Sequence, residues 1–287
     1  MAAATRLGYR TNLAARALAA KRSGLIGIAA APLSDALLAE VVEAAELRFA
    51  REGYGVLISG VSPSNVIAAS QALMARGVEA ILFAGKSPTD QDVDTLQRQD
   101  VPWIGVAEGE GEDPSRLDLG QAKGAELAAR YLVELGHERL GVLERNGGTS
   151  RRGVAIGLAG SRARLGVAET LTREDGNELR RAAQRLLDSG ERPSALVCGG
   201  DAEALAALRE CSMRGIDVPG TLSIVGFGDQ EFARHSWPAL TTVRVRGEEI
   251  GQSAAEALLD RLAGRPAKRY ETAVKLVIRE TSGPPSA

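Results

Sequence analysis

From Gly24 nearly to its end, this chain alternates short apolar runs with stretches of helical spacing. "LIGIA", "YGVLIS", "AILFAG" and "VPWIGV" come first, and "RLGVLE", "VAETLT", "SALVCGG", "TLSIVGFG" and "TTVRV" follow. Continuous apolar strands separated by helices are buried on both faces, which means parallel sheets covered by helices. A total of about ten strands divides more naturally into two sheets than into one. The fold class expected is therefore α/β, with two similar doubly wound lobes.

Local signals fill in the helices. Val42, Ala45 and Phe49 share a face ahead of Gly53, which is placed to end that helix. Ser64 is placed to cap a helix with Val66, Ile67, Ser70, Leu73 and Met74 on one side and Gly77 beyond its end. Ser87-Pro88 reads as an N-cap followed by a first-turn proline. "GAELAARYLVELGH" is a strong helix ended by Gly136, "EEIGQSAAEALLDRLAG" is a later one, and "YETAVKLVIRE" alternates like an exposed edge strand.

Composition narrows the function. The chain has 287 residues, 44% apolar and 25% charged, with a net charge of −2. It lacks an apolar run long enough to span a bilayer, and its basic start lacks the apolar core of a secretory signal. A cytoplasmic protein without membrane contact is expected. Cys198 and Cys211 read as reduced core thiols. His137 and His235 are the only histidines, so neither a metal site nor a His-based triad is expected. "GGTSRRG" lacks the phosphate-loop pattern and "GFGDQE" the dinucleotide fingerprint. The chain is therefore read as no enzyme, with no cofactor. Trp103 and Trp237 read as core or hinge packing, and His137 as a turn residue.

The first thirty residues are unbalanced. They hold Arg6, Arg10, Arg16, Lys21 and Arg22, and the first acidic residue is Asp35. This segment opens a series of phrases: "LGYRTNLAARALAAKRSGLIGI", "YLVELGHERLGVL", "RPSALVCGGDAEALAALRECSMRGIDVPGTLSIVGFGDQEFA", "WPALTTVRV" and "LVIRETS". Their order, from residue 6 to residue 282, resembles the LacI/GalR family of bacterial transcription regulators.

The resemblance implies lobes of type I periplasmic-binding-protein-like fold, joined by strand crossovers, with an effector cleft between them. The implied division is 1–23 for the remnant of a DNA-binding head and hinge, 24–136 plus 242–264 for one lobe, and 137–241 plus 265–287 for the other. It implies a homodimeric repressor whose small-molecule effector controls operator binding. "TNLAARALA" falls on the hinge helix, with Asn12, Ala15, Arg16 and Leu18 as DNA contacts and Leu18 as the minor-groove wedge. Neighbouring basic residues neutralise phosphates. A frayed amphipathic tail is the other reading, because so short a helix is unstable alone. Only the end of a helix-turn-helix head precedes the hinge, so operator DNA is expected as a partner of the full-length protein alone. The alternative function is a sugar-binding protein of a transport system, which would carry a signal peptide and no basic hinge.

Effectors of such folds sit at the carboxyl ends of the strands, here the loops after Ala30, Phe83, Val106, Glu144, Gly199 and Phe227. Leu33, Asp35, Glu108, Arg152, Asp201 and Asp229 are the candidate effector residues. Asp35 is also placed to cap the helix that follows it. The family's effector-gripping arginine falls on Arg152, which otherwise belongs to a solvated basic loop with Arg145, Arg151, Arg162 and Arg164. The pattern then departs from the family. Gly200 and Gly228 stand where the family carries Asn and Asp, Ala107-Glu108 replaces Asp-Arg, and Gly120-Gln121 replaces Asp-Asn. Each sugar hydroxyl left without a partner costs roughly 1–3 kcal/mol. The effector is therefore read as a sugar or, in preference, an anionic sugar derivative held in part by Arg152. The other reading is a site that has lost its ligand.

Overall fold

The computed structural model describes residues 22–61, 66–109, 113–145, 148–171, 176–190 and 192–286. The hinge candidates Asn12, Ala15, Arg16 and Leu18, and the Ser64 cap, lie outside the described residues. In chain order the elements are β1 (Leu25–Ala30), α1 (Ala36–Arg51), β2 (Gly55–Gly60), α2 (Val66–Met74), β3 (Ala80–Ala84), α3 (Asp90–Arg98), β4 (Trp103–Ala107) and β5 (Arg116–Asp118). Next come α4 (Gln121–Glu134), β6 (Arg139–Arg145), α5 (Ser150–Gly157), β7 (Arg164–Leu171), α6 (Gly176–Asp188), β8 (Ala195–Cys198), α7 (Asp201–Arg214) and β9 (Ser223–Gly228). A 3-10 turn (Glu231–Arg234), β10 (Thr241–Val245), α8 (Gly247–Leu262) and β11 (Val274–Val277) complete the chain.

The strands form two sheets, β2-β1-β3-β4-β5 and β11-β10-β9-β8-β6-β7. Pairing is parallel in every described ladder except β10 with β11. All residues of β3, β4, β8 and β9 are buried, as apolar runs covered by helices on both faces demand. "YETAVKLVIRE" yields the expected edge strand, but ladder pairing covers only Val274–Val277.

The chain divides into two compact units. Among the described residues one holds 22–107, 113–117 and 247–270, and the other holds 108–109, 118–246 and 271–286. This differs from the expected boundaries at 108–109, 118–136, 242–246 and 265–270. Residues 118–136 belong to the second unit because α4 packs along α5. Residues 242–246 belong there too, because β10 pairs with β9.

Three local expectations are corrected. Thr89, not Ser87, caps α3: its side chain accepts from Asp92 N while the Asp92 carboxylate accepts from Thr89 N, leaving Pro88 outside the helix. His137 is a buried tie rather than a plain turn residue. Its Nδ1 lies 2.9 Å from Ser194 Oγ and its Nε2 lies 2.9 Å from the Gly283 carbonyl, so it fastens the chain's final segment to the second unit. Burial lowers its pKa, which favours the neutral ring. Trp103 is in the core, edge-on to Phe83, as expected, but Trp237 is 91% exposed.

Helix–helix contacts rest on glycines. In the first unit a Cβ on Gly251 of α8 would overlap the Val41 carbonyl of α1, and in the second a Cβ on Gly153 of α5 would overlap the Ala122 carbonyl of α4. Backbone leaves little room to relax. Gly251→Ala should therefore destabilise the protein by about 1–3 kcal/mol in urea unfolding. Gly60→Ala has open space among the described residues and should stay within about 0.5 kcal/mol of the parent.

Candidate functional site

β6, β8 and β9 run parallel side by side, so their carboxyl ends share one edge of the second unit's sheet. Several polar side chains converge there. Gln121 begins α4, and the chain reaches it through Gly120, whose φ of +85° puts it in the left-handed region where a Cβ would also crowd Thr272. Gln121 is buried and fully used. Its backbone N–H donates to Glu108 Oε2 at 3.2 Å, its Nε2 donates to the Gly199 carbonyl at 2.8 Å, and its Oε1 accepts from Thr149 N at 2.6 Å. Thr149 Oγ1 also donates to Glu108 Oε2 at 3.1 Å. One amide thus ties the end of β8 to the start of α5 and to the loop after β4.

Charged groups surround this knot. Glu144 is buried, and its Oε2 accepts from Arg151 N at 3.2 Å. Burial raises its pKa. Arg145 Nε donates to Glu203 Oε1 at 2.5 Å, and a Cβ on Gly200 would overlap the other oxygen of that carboxylate. Glu203 therefore stands in the space that a side chain at position 200 would take.

Asp201 accepts from Thr242 Oγ1 at 2.5 Å and from Gln230 N at 2.7 Å. Burial pushes its pKa up to about 6, against the pull of both hydrogen bonds. Asp229 is 3% exposed at its side chain and lies between two guanidiniums, Arg244 Nε and Arg279 Nη2, each at 2.6 Å.

Of the six candidate effector residues, Glu108, Arg152, Asp201 and Asp229 belong to this unit. Arg152 is the third residue of α5 and exposed. Leu33 and Asp35 belong to the other unit, where Leu33 is 43% exposed. Asp35 Oδ1 accepts from Leu38 N at 3.3 Å, so it caps α1. Thr149, Glu144, Glu203, Thr242, Arg244 and Arg279 were not singled out from sequence as site residues. They carry no motif, because each meets its partner only through the sheet. Gln121 could have been found, since it stands at a departure from the family pattern. Among the described residues no group of three or more potential metal ligands occurs, and no helix is long and apolar enough to cross a membrane. The arrangement is one of paired charges and directed hydrogen bonds, suited to holding a polar molecule.

Residues 129–282 match the family described as periplasmic binding protein-like domain. The chain is 31% identical to the HTH-type transcriptional repressor PurR of Shigella sonnei, over 92% of this chain and 81% of that one. Among solved structures, a Lac repressor bound to ONPG in the repressed state superposes with a TM-score of 0.86 at 25% identity, covering 98% of this chain and 88% of that chain. A LacI transcriptional regulator from a Rhodococcus species gives 0.77 at 28% identity, covering 91% of this chain and 98% of that chain.

The buried Asp201 generates a pH prediction. Its folded pKa of about 6 lies above the ordinary 3.8, so the protonated carboxyl favours the folded state. That contribution is full only below the ordinary carboxylate pKa of 3.8 and is lost as pH rises through about 6. Asp201→Asn removes the titration. Relative to this variant, the parent should lose about 2 kcal/mol of stability between pH 4 and pH 7 in denaturant titrations.

Proposed function

The chain belongs to the LacI/GalR family of transcriptional regulators, and from that premise we propose that it is the ligand-sensing, dimerising core of a repressor, acting in the cytoplasm and without enzymatic activity. The observation that carries the sensing role is the convergence of Glu108, Gln121, Thr149, Glu144 and Asp201 at the strand ends of the second unit. A ligand shifts a two-state protein only by its differential affinity for the two states. Groups already tied to three different elements are suited to registering such a difference. The other reading, a sugar-binding transport protein, has no comparable support, because the relatives reported above are named as repressors or regulators.

The ligand proposed is a sugar derivative bearing an oxyanion. Arg151 and Arg152 lie in the first turn of α5, whose N-cap Thr149 forms no side-chain cap. A helix N-terminus favours negative charge, and guanidinium forks fit oxyanions. Arginines at this edge are engaged with carboxylates: Arg151 with Glu144 at 3.9 Å, Arg145 with Glu203, and Arg244 and Arg279 with Asp229. The start of α5 is proposed as the place for ligand charge on its helix-end and guanidinium chemistry. Calorimetric titration with phosphorylated and neutral sugars tests it. A sugar phosphate should bind, and Arg152→Ala should weaken it about tenfold or more, the loss expected of a charge-assisted hydrogen bond. Tight neutral-sugar binding that survives Arg152→Ala would overturn the ligand class.

The dimer contact proposed in the second unit centres on Trp237. Phe232 is 41% exposed and Ile278 59%. The segments bearing Trp237 and Ile278 are joined where Glu280 N donates to the Ala239 carbonyl. Exposed aromatic and aliphatic residues of this kind anchor interfaces. Trp237→Asp should shift the protein from dimer to the 30.1 kDa species in sedimentation at micromolar concentration.

A further inference from the structure

Four arginines gather at the amino-terminal ends of the second sheet's strands, the edge opposite the site above. Arg139 opens β6 and Arg164 opens β7, and the two are direct partners in the parallel ladder. Paired residues on adjacent strands point to the same face, about 5 Å apart at the backbone. Arg162 lies two residues before Arg164. Arg192 lies two residues before Ser194, whose N–H donates to the Arg139 carbonyl. All four side chains belong to exposed residues.

None of the four takes part in an ion pair among the described residues, whereas other exposed arginines of this unit do, such as Arg185 with Glu169 and Glu178. The one side-chain hydrogen bond in the group runs from Arg192 Nε to the Leu187 carbonyl at 3.1 Å, which fastens that arginine to the end of α6. Asp188 interacts electrostatically with Arg192, but its carboxylate is held by Arg214 at 2.6 Å and it makes no ion pair with Arg139 or Arg164 among the described residues. Glu138 precedes Arg139 but forms no ion pair with any of the four among the described residues. Like charges placed directly opposite on neighbouring strands repel, and here no carboxylate of the described chain relieves them.

We infer that this corner is a second binding site, for a compact polyphosphate group. Guanidinium forks match phosphate oxygens two at a time. A multivalent anion would relieve the Arg139–Arg164 repulsion that the chain itself leaves uncompensated. A peptide partner fits less well, because none of the large exposed apolar residues lies in these segments and protein interfaces need an apolar centre. A nucleic-acid backbone fits less well too, because it calls for a basic stripe along its length, whereas these four residues lie at the starts of three neighbouring strands.

Calorimetry at low salt tests the site with inorganic tripolyphosphate, a nucleoside triphosphate and a short single-stranded oligonucleotide. Tripolyphosphate and the nucleoside triphosphate should bind alike, one per chain. Arg139→Gln and Arg164→Gln should each weaken tripolyphosphate about tenfold, with thermal unfolding of the free variants confirming that they fold. Arg181→Gln, an exposed change elsewhere on α6, should leave the affinity unchanged. Three results would overturn the proposal: no tripolyphosphate binding, binding indifferent to the Arg139 and Arg164 changes, or oligonucleotide binding that strengthens with length while tripolyphosphate stays weak.

Discussion

The geometry of the second unit depends on the side chain of Gln121. A carboxamide has one acceptor and one donor group facing opposite ways, and here both are used, on Thr149 N and the Gly199 carbonyl. Those two backbone groups belong to the approach to α5 and the end of β8, elements far apart in sequence. The helix that supplies Gln121 is in turn aimed by Gly120, whose conformation a side chain would resist. Without that amide, a part-buried N–H and a part-buried carbonyl would each lose a partner, and the paired charges around them would lose their frame.

Around this frame the charges are arranged by partner rather than by type. Asp229 and Glu203 are buried at their side chains and held by arginines whose outer parts reach solvent. Asp201 has no such cation in direct contact and relies on Thr242 and Gln230. That difference explains why burial raises the pKa of Asp201 to about 6. Glycines at 200 and 226 make the arrangement possible, since a Cβ at either would collide with a neighbouring carboxylate. Loss of side chains at such positions therefore does not empty the space. The carboxylates of Glu203 and Asp201 fill it.

The two ends of the second sheet differ in the same terms. At the carboxyl edge most of the charged groups are matched within the chain. At the amino edge Arg139 and Arg164 are register partners without carboxylates. Matched charges fix local structure, while unmatched ones leave a field open to an outside ion.

The sequence by itself determined the layered architecture, because apolar runs alternating with amphipathic helices have few ways to bury both kinds of surface. It also carried the family, in phrases spread along the chain, and the N-cap role of Asp35, which depends only on neighbours in sequence. Trp103 was legible as core, while Trp237 was not legible as surface, because composition cannot tell an apolar side chain that is buried from one left out. The unit boundaries were misplaced because the pairing of β10 with β9 and the packing of α4 on α5 are long-range choices. The pairings of Glu203 with Arg145 and of Asp229 with Arg244 and Arg279 were likewise decided only by tertiary structure. A charge has no period or spacing that names its partner, and these partners meet only after distant strands have fallen into register.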